Sequence, residues 1–140
     1  MYKAVGTTFV AKNTKRMLLN LRSKSVSYPH TWSFWGGKIE KGEQPIDALR
    51  RELTEEMGFV PQMEKLNPLD TYRSPDKGFI YYTYVIITPK EFIPTLNSES
   101  SGYAWIDIGK WPKPLHSGAK ITLTSKKNIS KIKKLCNLST

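Results

Sequence analysis

Between Arg51 and Gly58 the chain reads Arg-Glu-Leu-Thr-Glu-Glu-Met-Gly, so Glu52, Glu55 and Glu56 stand at i, i+3 and i+4. On a helix, at about 100° per residue, these spacings gather the three carboxylates on one ridge. Like charges so spaced destabilise an isolated helix by roughly 0.2–0.5 kcal/mol per pair. Two arrangements relieve the repulsion. Arg50, Arg51 or distant lysines can pair the glutamates at the surface, and each such pair returns only about 0–1 kcal/mol. A hard divalent cation such as Mg²⁺, with oxygen ligands at about 2.0–2.1 Å, uses the whole cluster. The chemistry then available is that of a metal that bridges phosphate oxygens and lowers the pKa of a bound water.

A ridge of this kind needs a helix with a buried opposite side. Gln44 to Met57 predicts one: Pro45 suits the first helical position, Gly58 suits the end, and Ile46, Leu49, Leu53 and Met57 form an apolar stripe. The centre of the glutamate ridge lies roughly 110° around the helix from that stripe. The stripe in turn needs a sheet. Tyr2 to Ala11 and Met17 to Leu21 read as a hairpin across Lys12-Asn13-Thr14-Lys15-Arg16. Phe79 to Thr88 is apolar or aromatic on both alternating sets, the mark of a central strand with helices on each side. Leu66 to Arg73 and Tyr103 to Ile108 are weaker strands. The tail predicts a second helix, with Ile129, Ile132, Leu135 and Cys136 as its apolar stripe and Lys126, Lys127, Lys131, Lys133 and Lys134 on the other faces.

Composition narrows the classes. At 140 residues the chain has room for one domain, expected over 1–140, with a core that needs no staples. The single cysteine excludes an intrachain disulfide and a multi-cysteine zinc site. The N-terminus has no signal-peptide pattern and the apolar runs fall far short of the ~20 residues of a membrane helix, so a soluble, cytoplasmic protein without a membrane partner is expected. The formal charge is +10, yet all twelve acids lie between Glu40 and Asp107, six of them between Glu40 and Glu56. A basic body around a dense acidic spot suits a divalent cation and a polyphosphate ligand.

Gly37, five residues, Glu43, seven residues, then Arg51-Glu52-Leu53-Thr54-Glu55-Glu56-Met57-Gly58-Phe59 resembles the Nudix box at every defined position. The resemblance implies an α/β fold, the Nudix α/β/α sandwich with a mixed central sheet. It also implies Mg²⁺-dependent, or Mn²⁺-dependent, hydrolysis of a pyrophosphate bond in a nucleoside diphosphate linked to another moiety. Nucleoside triphosphates, dinucleoside polyphosphates, ADP-ribose and nucleotide sugars are all substrates of that kind. Glu52, Glu55 and Glu56 would be metal ligands, Glu52 and Glu56 the more direct, with the Gly37 carbonyl as a further one. Glu43 and Arg51 would orient them, Arg51 as a fork between the glutamates. Members of the family differ in which residue activates the water: some use a box glutamate, others a glutamate on a later loop. Glu99, ahead of Tyr103-Ala104-Trp105, resembles the second kind, against the plainer reading of a solvated loop residue.

Substrate contacts are less sharply marked. The family's downstream specificity markers are not met, Pro75 lying one residue from the position associated with ADP-ribose. The segment Tyr28-Pro29-His30-Thr31-Trp32-Ser33-Phe34-Trp35 is dense in rings, and Trp32 or Trp35 stacks on a base or packs in the core. Gly36, Gly37 and Lys38 join them as substrate-binding candidates. His116, in a turn-like Lys-Pro-Leu-His-Ser-Gly stretch, touches a phosphate or stabilises its loop. The leading expectation is a small-nucleotide hydrolase, monomer or homodimer. The alternatives are an enzyme acting on RNA 5′ ends, suggested by the basic flanks, and a nucleotide-sensing module without catalysis.

Overall fold

The computed structural model describes residues 1–58, 62 and 65–138, and Phe59, the last position of the box, lies outside them. The elements run β1 (Tyr2–Ala11), β2 (Arg16–Arg22), β3 (Trp32–Ser33), β4 (Trp35–Lys38), α1 (Pro45–Met57), β5 (Asn67–Arg73), β6 (Phe79–Thr88), β7 (Ser100–Asp107), α2 (Ser117–Leu123) and α3 (Lys126–Leu138). The expected hairpin, box helix, central strand and tail helix are all present, with ends shifted by a residue or so. The last strand begins at Ser100 rather than Tyr103, and the one before β6 begins at Asn67 rather than Leu66.

β1 runs parallel to β6 along its whole length, from Tyr2 opposite Phe79 to Ala11 opposite Thr88. The other pairings are antiparallel, so the sheet is mixed. β1 alternates sides as a strand must: Val5 and Phe9 face α1 with Trp35, Leu49, Leu53 and Ile86, while Ala4 and Val10 face α2 and α3 with Tyr81, Val85, Leu123 and Ile132. Helices therefore cover both faces, and β6 contributes to both cores, which is why its sequence is apolar on both sets. On α3, Ile132 and Cys136 are buried and Ile129 and Leu135 pack on the same core, leaving the lysines exposed.

One irregularity makes room for a site. β1 and β2 pair only at the hairpin end, Phe9 with Leu18 and Val10 with Met17. Beyond that they part: the N-terminal half of β1 takes β4, from Ala4 opposite Lys38 to Thr7 opposite Trp35, and β2 takes β3 and β7. A cleft opens in the splay.

Candidate active site

The cleft has a volume of about 610 Å³, within the range of roughly 300–1,000 Å³ typical of small-molecule sites. Its walls come from β1, β2 and the loop after it, β4, α1, β6, the start of β7 and the start of α2. Gly58, at φ 65, ends α1 with its amide on the Thr54 carbonyl, so Glu55 and Glu56 stand in the helix's last turn. The stripe of Leu49, Leu53 and Met57 is buried, which turns Glu52 and Glu56 toward β4. The Glu56 Oε1 accepts the Gly36 amide at 3.0 Å. The Glu52 carboxyl lies where a side chain on Gly37 would stand, its carbon 2.7 Å from that position.

Arg51 organises the surroundings. Its Nε and Nη2 donate to the two oxygens of Glu43 at 2.9 Å each, Nη1 donates to Glu52 at 2.9 Å, and Nη2 also reaches the Lys38 carbonyl at 3.0 Å. Glu43 in turn accepts the Glu40 amide at 2.8 Å. Held by Arg51 and that amide, the Glu43 carboxyl is pulled down to about 2. The opposite happens inside the cleft. Burial, then the negative charges of Glu52 and Glu99, push Glu56 up to about 9. Burial also raises Glu52, against the pull of Arg51.

Glu99 reaches the same cleft from the other side of the splay. Its loop is tied down at several points. The Glu99 amide donates to Asn97 Oδ1 at 2.9 Å, and Asn97 Nδ2 donates to the Glu55 carbonyl on α1 at 3.4 Å. The Ser23 amide donates to the Glu99 carbonyl at 2.9 Å, and the Ser23 hydroxyl to the Ser98 carbonyl at 2.7 Å.

The carboxylates lining the cleft are thus Glu52, Glu56 and Glu99. Glu55, expected with the other two, is not among the residues lining the cleft: its side chain is 57% exposed and accepts from Arg51 Nη1 at 3.5 Å. Among the described residues no three Glu, Asp, His or Cys side chains converge as they stand on one point for a metal. Arg51 holds one oxygen of Glu52, and Glu56 is turned to Gly36. The donor set nevertheless fits a hard divalent cation. It consists of oxygens, and a cation on them would offset the burial and the charges of Glu52 and Glu99 that raise Glu56.

The two stacking candidates lie in different cores. Trp35 is 1% exposed, its ring edge-on to Phe9 in the α1-side core. Trp32 packs on the other core, and its amide donates to the Pro114 carbonyl. Trp32 does not line the cleft, and Trp35, which does, is almost wholly buried. Gly36, Gly37, Lys38 and His116 do line the cleft. Lys38 is exposed, its Nζ 5.7 Å from the Tyr2 ring centre. His116 caps α2, its Nδ1 accepting the Gly118 amide at 3.1 Å, while its ring also lines the cleft. Cleft residues that sequence reasoning passed over are Arg22, Tyr28, Phe79 and Tyr81. Tyr28 had a signal, since it belongs to the ring-dense segment.

A family model described as NUDIX domain matches residues 2–124. Nucleoside triphosphatase NudI of Escherichia fergusonii is 34% identical over 90 residues, 56% of this chain and 63% of that protein. The same-named protein of Escherichia coli O139:H28 is 31% identical over the same shares. The match spans less than two thirds of these relatives' length. Among solved structures, a MutT NUDIX hydrolase from Burkholderia pseudomallei superposes with a TM-score of 0.70 at 21% identity, over 87% of this chain and 95% of that one. The E. coli dihydroneopterin triphosphate pyrophosphohydrolase does so at 0.63 and 21%, over 96% and 94%. These likenesses establish the fold.

Proposed function

The chain belongs to the NUDIX family, and from that premise we propose that it is a single-domain hydrolase of phosphoric anhydrides that cleaves a pyrophosphate bond in a small nucleotide, a nucleoside triphosphate before the others. The observation that carries this reading is the meeting of Glu52, Glu56 and Glu99 in one cleft of about 610 Å³. Relatives named as nucleoside triphosphatases support the choice of substrate.

Glu52 and Glu56, with the Gly37 carbonyl, are the groups that would hold Mg²⁺ or Mn²⁺. Bound there, such an ion neutralises charge on phosphate oxygens and acidifies water. The remaining work falls to the chain. Arg51 fixes Glu52 and is itself fixed by the two-point bond to Glu43. Glu99 enters from the opposite wall and takes the proton of the attacking water on its carboxylate. Lys38, exposed at the edge of the cleft, supplies a cation for the phosphate chain.

The test is a panel of nucleoside triphosphates, dinucleoside polyphosphates, ADP-ribose, nucleotide sugars and capped or triphosphorylated RNA, each assayed with Mg²⁺ and with Mn²⁺. Turnover is expected on the triphosphates. The exposed lysines of α3 favour one second reading, an RNA 5′ end as substrate. Preferential, salt-sensitive turnover of RNA would select it. Absence of turnover across the panel, with nucleotide binding retained, would leave the sensing module instead.

A further inference from the structure

We propose that Tyr28 is the residue that stacks on the substrate's nucleobase, so that base recognition is carried by the loop between β2 and β3. The proposal rests on the reading of the cleft as a nucleotide site and names the part of it that meets the base. Four of the rings in the segment 28–35 belong to Tyr28, Trp32, Phe34 and Trp35. Phe34 and Trp35 are buried and Trp32 packs on the core. Tyr28 lines the cleft yet is 68% exposed.

That exposure is enforced. Tyr28 has φ 50, in the left-handed region that a bulky side chain rarely occupies. A conformation of this kind persists only where its surroundings over-determine it. Here Arg22 Nε donates to the Ser27 carbonyl at 2.7 Å and its Nη2 to the Ser27 hydroxyl at 3.2 Å. The Thr31 hydroxyl donates to the Tyr28 carbonyl at 2.8 Å, and the His30 amide to the Arg22 carbonyl at 2.9 Å. Arg22 itself lies on the cleft wall, so an arginine of the site is committed to holding this loop.

His116 completes the mount. Its ring meets Tyr28 edge to face, with centres 5.5 Å apart and planes at 87°. Its Nδ1 is fixed by the Gly118 amide, and burial favours the neutral imidazole. An aromatic ring braced in this way and left exposed at the mouth of a cleft offers a face to a flat ligand. Every nucleobase has such a face, and its stacking tolerates different bases.

Binding and hydrolysis in a set of variants test this. Tyr28→Asn removes the ring while tolerating the left-handed backbone, and Tyr28→Phe and Tyr28→Trp keep a ring. Two ligands are compared: a nucleoside triphosphate, by KM and by equilibrium dialysis, and inorganic tripolyphosphate, which has no base. Tyr28→Asn is expected to weaken the nucleotide about 5- to 150-fold, the equivalent of the roughly 1–3 kcal/mol of a base–aromatic stack, with kcat nearly unchanged. Tripolyphosphate should be handled as by the wild type, and Phe and Trp should retain nucleotide affinity. A wild type that binds and cleaves nucleotides, matched by Tyr28→Asn, would overturn the role of Tyr28 alone. Equal losses on tripolyphosphate and nucleotide would overturn it too, showing a loop that supports the site. A wild type that neither binds nor cleaves nucleotides would overturn the nucleotide reading and this proposal with it.

Discussion

A methyl group on Gly36 would run into the Val5 carbonyl and lie 2.7 Å from the Gly6 Cα, whereas one on Gly37 would meet only the flexible end of Glu52. The two neighbours therefore fail differently when changed. Gly36→Ala must part β4 from β1, and a clear drop in melting temperature is expected. Gly37→Ala should melt close to the wild type but lose activity, because the Glu52 carboxylate is displaced. Thermal melts read beside turnover separate the two. Glu56→Gln keeps the shape of the side chain and the oxygen that accepts the Gly36 amide, so it should fold, while turnover falls on the order of 10²–10³-fold, as when one transition-state stabiliser is lost. Arg51→Ala frees Glu43 and Glu52 together and should cost roughly 10- to 100-fold in kcat. At this scale the box glutamates and Glu99 were legible because spacing and neighbouring residues mark them. The stacking ring was not. Trp32 and Trp35 sit on different strands, β3 and β4, so no single alternation runs through the segment to say which rings turn inward.

Asn97 spans two elements, receiving the Glu99 amide and donating to the last turn of α1. It sets Glu99, the proposed general base, against the helix that carries Glu52 and Glu56. Asn97→Ala should lower kcat, by on the order of 10²-fold if Glu99 drifts by about 1 Å, with KM little changed. The segment leading to this loop is pinned elsewhere by Glu91, which takes Arg16 Nε and Nη2 at 2.6 Å each and the Thr14 hydroxyl at 2.6 Å. Arg16 and Thr14 hold the Glu91 carboxyl below its ordinary 4.5. Its contribution to stability is thus present in full above that value and lost as pH falls through the lowered one. Melting temperatures of the wild type and Glu91→Gln should differ at neutral pH and converge in acid. The long elements were legible because ten or more residues display their period. β3 and β4 were missed because two and four residues display none, and α2 because it opens inside a stretch, Lys113 to Gly118, with the composition of a turn.

Across the whole molecule the +10 charge surrounds a cleft with three carboxylates at its centre. A net charge of this sign would favour the approach of a polyphosphate, and six of the twelve acids lie between Glu40 and Glu56. Capture of substrate should be sensitive to ionic strength: kcat/KM is expected to fall several-fold as salt rises from low concentration to about 0.5 M, where the screening length shrinks to a few ångströms. A kcat that stays level over the same range would place the effect in encounter rather than chemistry. No helix among the described residues is long and apolar enough to cross a membrane.

The parting of β1 and β2 also divides the protein's labour. The strand pair β1 and β4 and the helix α1 carry Gly36, Gly37, Glu52 and Glu56, while the β2 side carries Arg22, the Tyr28 loop and, through β7, Glu99. The residues between Arg16 and Ser33 leave and re-enter the sheet beside one another, with β3 paired to β2. They form a cassette with both ends fixed on a single strand pair. Exchanging only residues 26–31 of that cassette would replace the Tyr28 loop while Ser23 and Ser25 keep their bonds to Ser98 and Glu99, a route to new substrates that leaves all three glutamates in place.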